Sequence, residues 1–168
     1  MEFRHATTDD VPEILRVAER SWEHDYPDIL TRETAREAVH EWYDHDRLEL
    51  DAVAADTALV VAIDEDADED RAGPVVAFLH GVVDDDTGTL LRVYVDPDNR
   101  GDGIGRSLVE YATDDFGTRG VDRVEAMVLA ANEPGNEFYE SLGFELVQRA
   151  TTTIGGEPHD ENIYLKLL

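Results

Sequence analysis

The chain carries the sequence RGDGIG at residues 100–105, between an apolar stretch at 89–95 and an amphipathic stretch that begins at Ile104. Glycine allows tight backbone turns and lets a ligand come close to the main-chain amides. The first amides of a helix have no partner inside the helix, and the positive end of the helix dipole lies behind them. The sequence therefore predicts a strand-to-helix turn whose amides form an anion site, with Arg100 and Arg106 beside it.

Several interpretations of this turn compete. A P-loop requires Gly-Lys-Ser/Thr, whereas Gly105 is followed by Arg106 and Ser107, so the phosphate-binding lysine is missing. A dinucleotide-binding loop requires a third glycine where Arg106 stands and a place near the first strand, so it also fits poorly. A phosphate site of another kind and a plain turn with glycines for helix packing both remain open.

Hydrophobic periodicity predicts the elements on either side of the turn. Apolar runs predict strands at residues 2–6, 58–63, 75–83, 89–95, 123–129, 144–154 and 161–167. Helical spacing predicts one helix that starts with a capping box at Asp10 and Glu13, one that starts after Thr31, and two more at 104–116 and 135–142. A strand–helix–strand crossover implies a parallel pair, so we expect an α/β fold with a mixed sheet in one domain, residues 1–168.

The charge balance is extreme, because 14 Lys and Arg against 40 Asp and Glu give a net charge of −26. Such a charge repels itself in dilute salt and is screened within about 3 Å at 1 M salt. We therefore expect a solvated acidic surface suited to a halophilic cytoplasm rather than a surface made for one basic partner. The same charge repels phosphates and disfavours DNA or RNA as a partner.

The sequence also disfavours several sites and locations. Without cysteine there is no disulfide, thiolate metal site or cysteine nucleophile. The acidic run at 64–70 resembles a calcium loop, but Glu69 and Val75 stand where the loop needs glycine and glutamate, so no metal is expected. The first residues do not resemble a signal peptide and no apolar run has the length of a membrane span, so we expect a cytoplasmic protein.

A second segment, NEPGNEFYESLGF at residues 132–144, predicts a short helix that ends at Gly143. Together the two segments closely resemble the motifs of the GNAT superfamily of N-acetyltransferases. Its first motif, Gln/Arg-x-x-Gly-x-Gly/Ala, is matched by Arg100, Gly103 and Gly105, and its second, an asparagine followed by Phe/Leu-Tyr-Glu-x-Leu-Gly-Phe, is matched within 132–144. Pro134 and Gly135 depart from the second motif, whereas the order of elements resembles the family over almost the whole chain.

The resemblance implies an α+β fold with a mostly antiparallel sheet of six to seven strands and about four helices. It places acetyl-CoA where the fourth and fifth strands splay apart, with the pyrophosphate on the amides of the turn. The pantetheine arm would pair with the fourth strand as if it were another strand. The residues implied in acetyl-CoA binding are Val93, Tyr94, Val95, Arg100, Gly101, Asp102, Gly103, Ile104, Gly105, Arg106 and Asn132, the last of which is equally well explained as a helix cap.

The reaction implied by the family transfers the acetyl group of acetyl-CoA directly to an amine in a ternary complex, without an enzyme nucleophile. Tyr139 matches the position that commonly protonates the departing sulfur, and a purely structural ring is the alternative. The motifs do not identify the base that takes the proton of the amine. Glu125 on the fifth strand and His80 on the third are candidates, and both are also explained as ordinary solvated or packed side chains.

Three functions remain open: an acetyltransferase acting on a small or protein amine, a non-catalytic acetyl-CoA sensor of the same fold, and an unrelated phosphate-binding protein. The resemblance favours the first two, and Tyr139 favours the first. In the family the first two helices shape the acceptor pocket, where this chain has Trp22, Tyr26, Trp42 and Tyr43, although helix packing explains the tryptophans equally well. Dimers are common in the family, so a homodimer is a further expectation.

Overall fold

The computed structural model describes residues 1–25, 43–66 and 75–168. Seven strands form one sheet in the order β1-β2-β3-β4-β5-β7-β6, and four helices flank it within these residues. The strands are β1 (Glu2–His5), β2 (Thr57–Ile63), β3 (Val75–Asp84), β4 (Thr87–Val95), β5 (Arg123–Leu129), β6 (Glu145–Ile154) and β7 (Glu157–Leu167). The helices are α1 (Val11–Asp25), α2 (His45–Val53), α3 (Ile104–Thr118) and α4 (Glu133–Ser141).

The sheet is antiparallel except between β4 and β5, which run parallel and are joined by α3. The predicted mixed, mostly antiparallel sheet with four helices is therefore confirmed. No helix within the described ranges is both long and apolar enough to cross a bilayer.

Two apolar layers cover the two faces of the sheet. On one face α1 and α2 pack through Trp22 and Leu48 against Phe78 and Tyr94. On the other face α3 and α4 pack mainly on β3, β4 and β5, with Phe116 fully buried. The central strands divide their side chains between the layers, because successive residues of a strand point to opposite faces. Consequently, a cleft that cuts through the sheet is bordered by both layers.

The predicted capping box at Asp10 and Glu13 is wrong. Asp10 instead ends a short 3-10 turn at Thr8–Asp10, where its carboxylate accepts the backbone N–H of Thr7 at 2.8 Å and the guanidinium of Arg4 at 2.7 and 2.9 Å. Glu13 pairs with Arg16 within α1. Thr7 and Asp10 have the same three-residue spacing as Asp10 and Glu13, so spacing alone does not distinguish the two possible capping pairs.

Helix α2 (His45–Val53) was not predicted. The helix that the sequence predicts after Thr31 lies outside the described residues. Helix α2 buries only Leu48, so its sequence has little hydrophobic periodicity.

Close packing between the sheet and α3 yields a stability prediction. A Cβ at Gly88 would lie 2.5 Å from the ring of Phe116, whereas a Cβ at Gly117 on the exposed side of α3 would meet nothing within 4 Å. Gly88→Ala should therefore lower the free energy of unfolding by about 1–3 kcal/mol through overpacking. Gly117→Ala should raise it by roughly 0.5–1 kcal/mol, because alanine favours the helix. Denaturation in high salt, followed by circular dichroism, measures both, and equal effects would contradict this packing.

Candidate functional site

The site begins where β4 and β5 stop pairing. Their register runs from Thr87 opposite Arg123 to Leu90 opposite Ala126 and ends there. Beyond that point β4 stays paired with β3 as far as Val95, and β5 stays paired with β7 as far as Leu129. The two strands therefore diverge, and a cleft of about 650 Å³ lies between them, bordered by the RGDGIG turn at one end.

The turn presents unoccupied amides to this cleft. Within the described residues, the backbone N–H groups of residues 101–106 donate to no protein acceptor. Gly101 and Gly103 have φ of 99° and 78°, a conformation that favours glycine, and a Cβ at either position would meet nothing within 4 Å. Open space in front of free amides at the start of a 15-residue helix fits an anion such as a phosphate.

Gly105 has a different role from the two glycines before it. A Cβ there would lie 3.3 Å from the ring of Phe138 and 3.5 Å from Val95, so the missing side chain lets α3 pack closely against α4 and β4. Helix packing thus explains Gly105, whereas the open turn explains Gly101 and Gly103. Of the two interpretations left open by the sequence, helix packing accounts for Gly105, and a phosphate site stays a prediction for Gly101 and Gly103.

Asp96 holds the end of β4 in place. Its carboxylate is almost fully buried and accepts hydrogen bonds from Arg16 at 2.8 Å and Arg20 at 2.6 Å, both on α1. It also caps the short 3-10 turn before the RGDGIG segment, accepting the backbone N–H of Asp98. A buried carboxylate with two guanidinium partners fixes the position of the strand relative to α1.

Arg100 does not point freely at the open turn. Its guanidinium forms a two-bond ion pair with Asp25 at the end of α1, with one bond of 3.0 Å, and its Nε donates to the carbonyl of Val95. Arg106 is half-exposed and lies 4.0 Å from Glu110 on the surface of α3. Arg100, one of the two arginines expected beside the anion site, therefore joins α1 to the turn.

Tyr139 lies on α4 and borders the cleft with its ring set among other aromatic rings. Ring centroids lie 5.1 Å away at Phe138, 5.5 Å at Phe144 and 6.0 Å at Tyr164, which stacks on it. Burial raises the pKa of Tyr139 well above its usual value, and the positive charge of Arg92 opposes that shift. The phenol is consequently protonated at any neutral pH and can donate a hydrogen bond into the cleft.

Asn132 and Asn136 position α4 at the end of β5. The Asn132 side chain accepts the backbone N–H of Gly135 at 3.1 Å and so caps the helix, although the residue also borders the cleft. Asn136, which the sequence did not single out, donates to the carbonyls of Leu129 and Asn132 and accepts from Tyr164 at 2.7 Å. Asn136 thus connects α4 with both β5 and β7.

All the candidate catalytic and acetyl-CoA-binding residues border the cleft except Asp102, Glu125 and His80. Glu125 lies opposite Thr89, inside the paired part of β4 and β5 and before the strands diverge. The sequence missed a carboxylate that does border the cleft, Glu161 on β7, which lies opposite Leu129. Only the register between β5 and β7 brings Glu161 to the gap, so no local motif signals it.

Tyr94 and Trp22 close the cleft on the α1 side. The indole N–H of Trp22 donates to the Tyr94 hydroxyl at 2.7 Å, and burial raises the pKa of Tyr94 to about 12. The neighbouring Val93 and Val95 pack against the opposite layer. The sequence placed Trp22 either in an acceptor pocket or in helix packing. Trp22 packs in the apolar core and also lines the cleft.

Comparisons with known proteins agree with this architecture. A model of the Acetyltransferase (GNAT) family matches residues 13–144. The ribosomal protein bS18-alanine N-acetyltransferase of Escherichia coli K12 is 40% identical over 72 residues, which cover 43% of this chain and 49% of that protein. The mycothiol acetyltransferase of Propionibacterium freudenreichii is 30% identical over 165 residues, 94% of this chain and 46% of that protein. The chain spans about half the length of these curated relatives.

Solved structures show the same fold. The PaiA N-acetyltransferase of Thermoplasma acidophilum, solved in complex with coenzyme A, superposes with a TM-score of 0.85 at 22% identity and covers 99% of this chain and 98% of that one. The ribosomal-protein-S18-alanine N-acetyltransferase of Escherichia coli gives 0.72 at 23% identity, with 99% and 92% covered. The family model covers most of the chain, including both sequence motifs, and on this ground the chain belongs to the Acetyltransferase (GNAT) family.

Proposed function

We propose that this chain is an acetyl-CoA-dependent N-acetyltransferase that transfers the acetyl group directly to a primary amine. The observation that carries the proposal is the gap between β4 and β5, with unoccupied amides at one end and Tyr139 on its wall. A phosphate-bearing, elongated thioester fits such a gap, since one end meets helix amides and the arm meets a strand edge.

Acetyl-CoA would bind through main-chain groups. The amides of residues 101–106 would take the pyrophosphate, with Arg106 beside them. Among the described residues, no strand pairs with the β5-facing edge of β4 from Leu91 to Val95, so its main-chain groups are available to amides of the pantetheine arm. The carbonyls of Val95 and Leu91 are exceptions, because Ser21 and Arg100 already donate to the first and the Arg92 guanidinium to the second.

The chemistry is acyl transfer in a ternary complex. The neutral amine nitrogen forms a bond to the acetyl carbon, the carbon–sulfur bond breaks, and the sulfur leaves as a thiolate. Tyr139 would offer its O–H to that sulfur as negative charge develops there. The amide product and the free thiol form without any covalent enzyme intermediate, which suits a chain without cysteine.

Relatives of this chain carry different names: one is a ribosomal protein bS18-alanine N-acetyltransferase and another is a mycothiol acetyltransferase. The proposal for this chain is therefore a primary amine of a small molecule or of a protein. Because its net charge is −26, the protein should be assayed in concentrated salt, which screens the repulsion between its acidic groups. The composition also supports a halophilic, cytoplasmic setting for the protein.

The first prediction concerns acetyl-CoA binding at the turn. At a concentration of 100 Kd, acetyl-CoA should stabilise the native protein by about 2.7 kcal/mol and raise its Tm. Gly103→Val should abolish that rise, because the new side chain fills the space before the free amides. Thermal melts with and without acetyl-CoA in high salt measure the effect.

A matched control is Gly120→Val. Gly120 also has a positive φ, 87°, and open space around it, but it lies beyond the end of α3 and does not border the cleft. Both variants should lose similar intrinsic stability, and only Gly120→Val should keep the shift by acetyl-CoA. A Gly103→Val protein that still responds would refute the placement of the pyrophosphate.

The second prediction concerns Tyr139. Tyr139→Phe should lower kcat roughly 10²-fold or more, because the departing sulfur loses its donor, and should leave the affinity for CoA nearly unchanged. Tyr111→Phe is the control, since Tyr111 packs edge-on against His5 outside the cleft. Steady-state kinetics with a panel of amines, combined with calorimetric titration of CoA, separates the two effects. Unchanged turnover in Tyr139→Phe would remove the residue from this role, and a wild-type protein that binds acetyl-CoA without turnover would indicate a sensor.

A further inference from the structure

Two carboxylates of the described residues border the cleft, those of Asp25 and Glu161. Asp25 is held in the two-bond ion pair with Arg100. The carboxylate of Glu161, by contrast, has no hydrogen bond or ion pair within 1–25, 43–66 and 75–168. A half-buried acidic group that faces a cleft without a protein partner is available to a ligand.

The register of the strands fixes the side of the sheet on which Glu161 lies. Glu161 is directly opposite Leu129 on β5, and directly opposed residues of antiparallel strands point to the same face. Leu129 belongs to the apolar layer of Trp22 and Tyr94, whereas Tyr139 belongs to the other layer. Glu161 and Tyr139 therefore border one gap from opposite faces of the sheet.

This arrangement matches the geometry that acyl transfer requires. The acetyl carbon would lie in the gap, the sulfur would depart on the Tyr139 side, and a nucleophile would approach from the Glu161 side. Glu125 cannot serve the same gap, because it lies inside the paired section where β4 and β5 are still bonded. The two glutamates therefore differ only in where strand pairing places them: Glu125 lies in the paired section and Glu161 lies beside the gap.

The charges around Glu161 set its protonation. Burial raises the pKa of Glu161, and the positive charge of Arg92 on β4 partly opposes this. Among the described residues, the other ionisable groups that border the same cleft are His24, Asp25, Tyr94, Arg100, Arg106 and Tyr139. His159 lies two positions earlier on β7. A carboxylate with a raised pKa is a stronger base than an exposed one.

We propose that Glu161 binds the acceptor ammonium and takes its proton, so that amine acceptors enter from the sheet face that carries Tyr94 and Leu129. This inference rests on the proposed acetyltransferase function. The ammonium first gives one proton to Glu161, and the neutral nitrogen then attacks the acetyl carbon. After the carbon–sulfur bond breaks, the second proton of the nitrogen restores the Tyr139 phenol that protonated the sulfur. Glu161 returns its proton to solvent, so one proton is released per turnover.

The test compares wild type with Glu161→Gln, using glycinamide, benzylamine and a tetrapeptide that begins with alanine as acceptors. Glu161→Gln should lower kcat/KM roughly 10²- to 10⁴-fold at neutral pH and leave the Tm shift by acetyl-CoA unchanged. In the wild type, kcat/KM should fall as the pH drops through the raised pKa of Glu161, because the protonated carboxyl cannot accept a proton. That acidic limb should be absent from the pH profile of the variant. Glu161→Asp should recover part of the activity.

Two further variants sharpen the result. Glu157→Gln changes an exposed carboxylate on the same strand outside the cleft, and it should retain wild-type kinetics. Glu125→Gln tests the candidate that the sequence suggested. A large loss in Glu125→Gln, together with normal kcat/KM and a retained acidic limb in Glu161→Gln, would overturn the inference while leaving the proposed function intact.

A binding measurement keeps the inference testable without turnover. Benzylamine should raise the Tm of the CoA-saturated wild type and of Glu157→Gln, and this rise should be lost in Glu161→Gln. A wild type that binds acetyl-CoA but acetylates no amine would contradict the proposed function, and a Glu161-dependent rise would then still support the amine site. If benzylamine does not raise the Tm of the wild type, or raises the Tm of Glu161→Gln equally, the proposed role of Glu161 is overturned.

Discussion

The divergence of β4 and β5 after Leu90 and Ala126 is the constraint on which the site depends. Each strand keeps a partner on its outer side, so neither loses its place in the sheet when the two separate. The groups released on the inner edges are the unpaired main-chain donors and acceptors that a ligand can use. Because each strand stays paired on its outer side, the gap leaves two unpaired strand edges in the middle of the sheet. In a fully paired sheet, unpaired edges occur only at its two ends.

The gap needs support on both sides. On the β4 side, Asp96 joins the strand end to α1 through Arg16 and Arg20. On the β5 side, Asn136 joins α4 to the carbonyl of Leu129 and to Tyr164 on β7. Asp96 is buried and Asn136 is half-buried, and each has several partners, which favours one arrangement because a displaced partner would lose its hydrogen bond. They hold the turn and Tyr139 at a fixed separation before any ligand binds.

The strand pattern, the turn and α4 were predictable because each leaves a local signal, an apolar run or glycines at set spacing. The cap of α1 was predicted wrongly because Thr7-x-x-Asp10 and Asp10-x-x-Glu13 show the same spacing, and only the contact with Arg4 distinguishes them. Glu161 was not predictable, because its position depends on pairing between β5 and β7. In a chain with 40 acidic residues, residue type alone carries no information about which carboxylate meets the gap.

The acidity of the chain also explains why main-chain amides suit its anion site. The chain has only 14 Lys and Arg, and three of those near the site, Arg16, Arg20 and Arg100, are occupied by carboxylates of the protein. Backbone N–H groups and the helix dipole can bind an anion without a further basic side chain. At 1 M salt, attraction between separated charges is screened beyond about 3 Å, whereas hydrogen bonds at contact distance persist. The phosphate site proposed at this turn would therefore still function in concentrated salt.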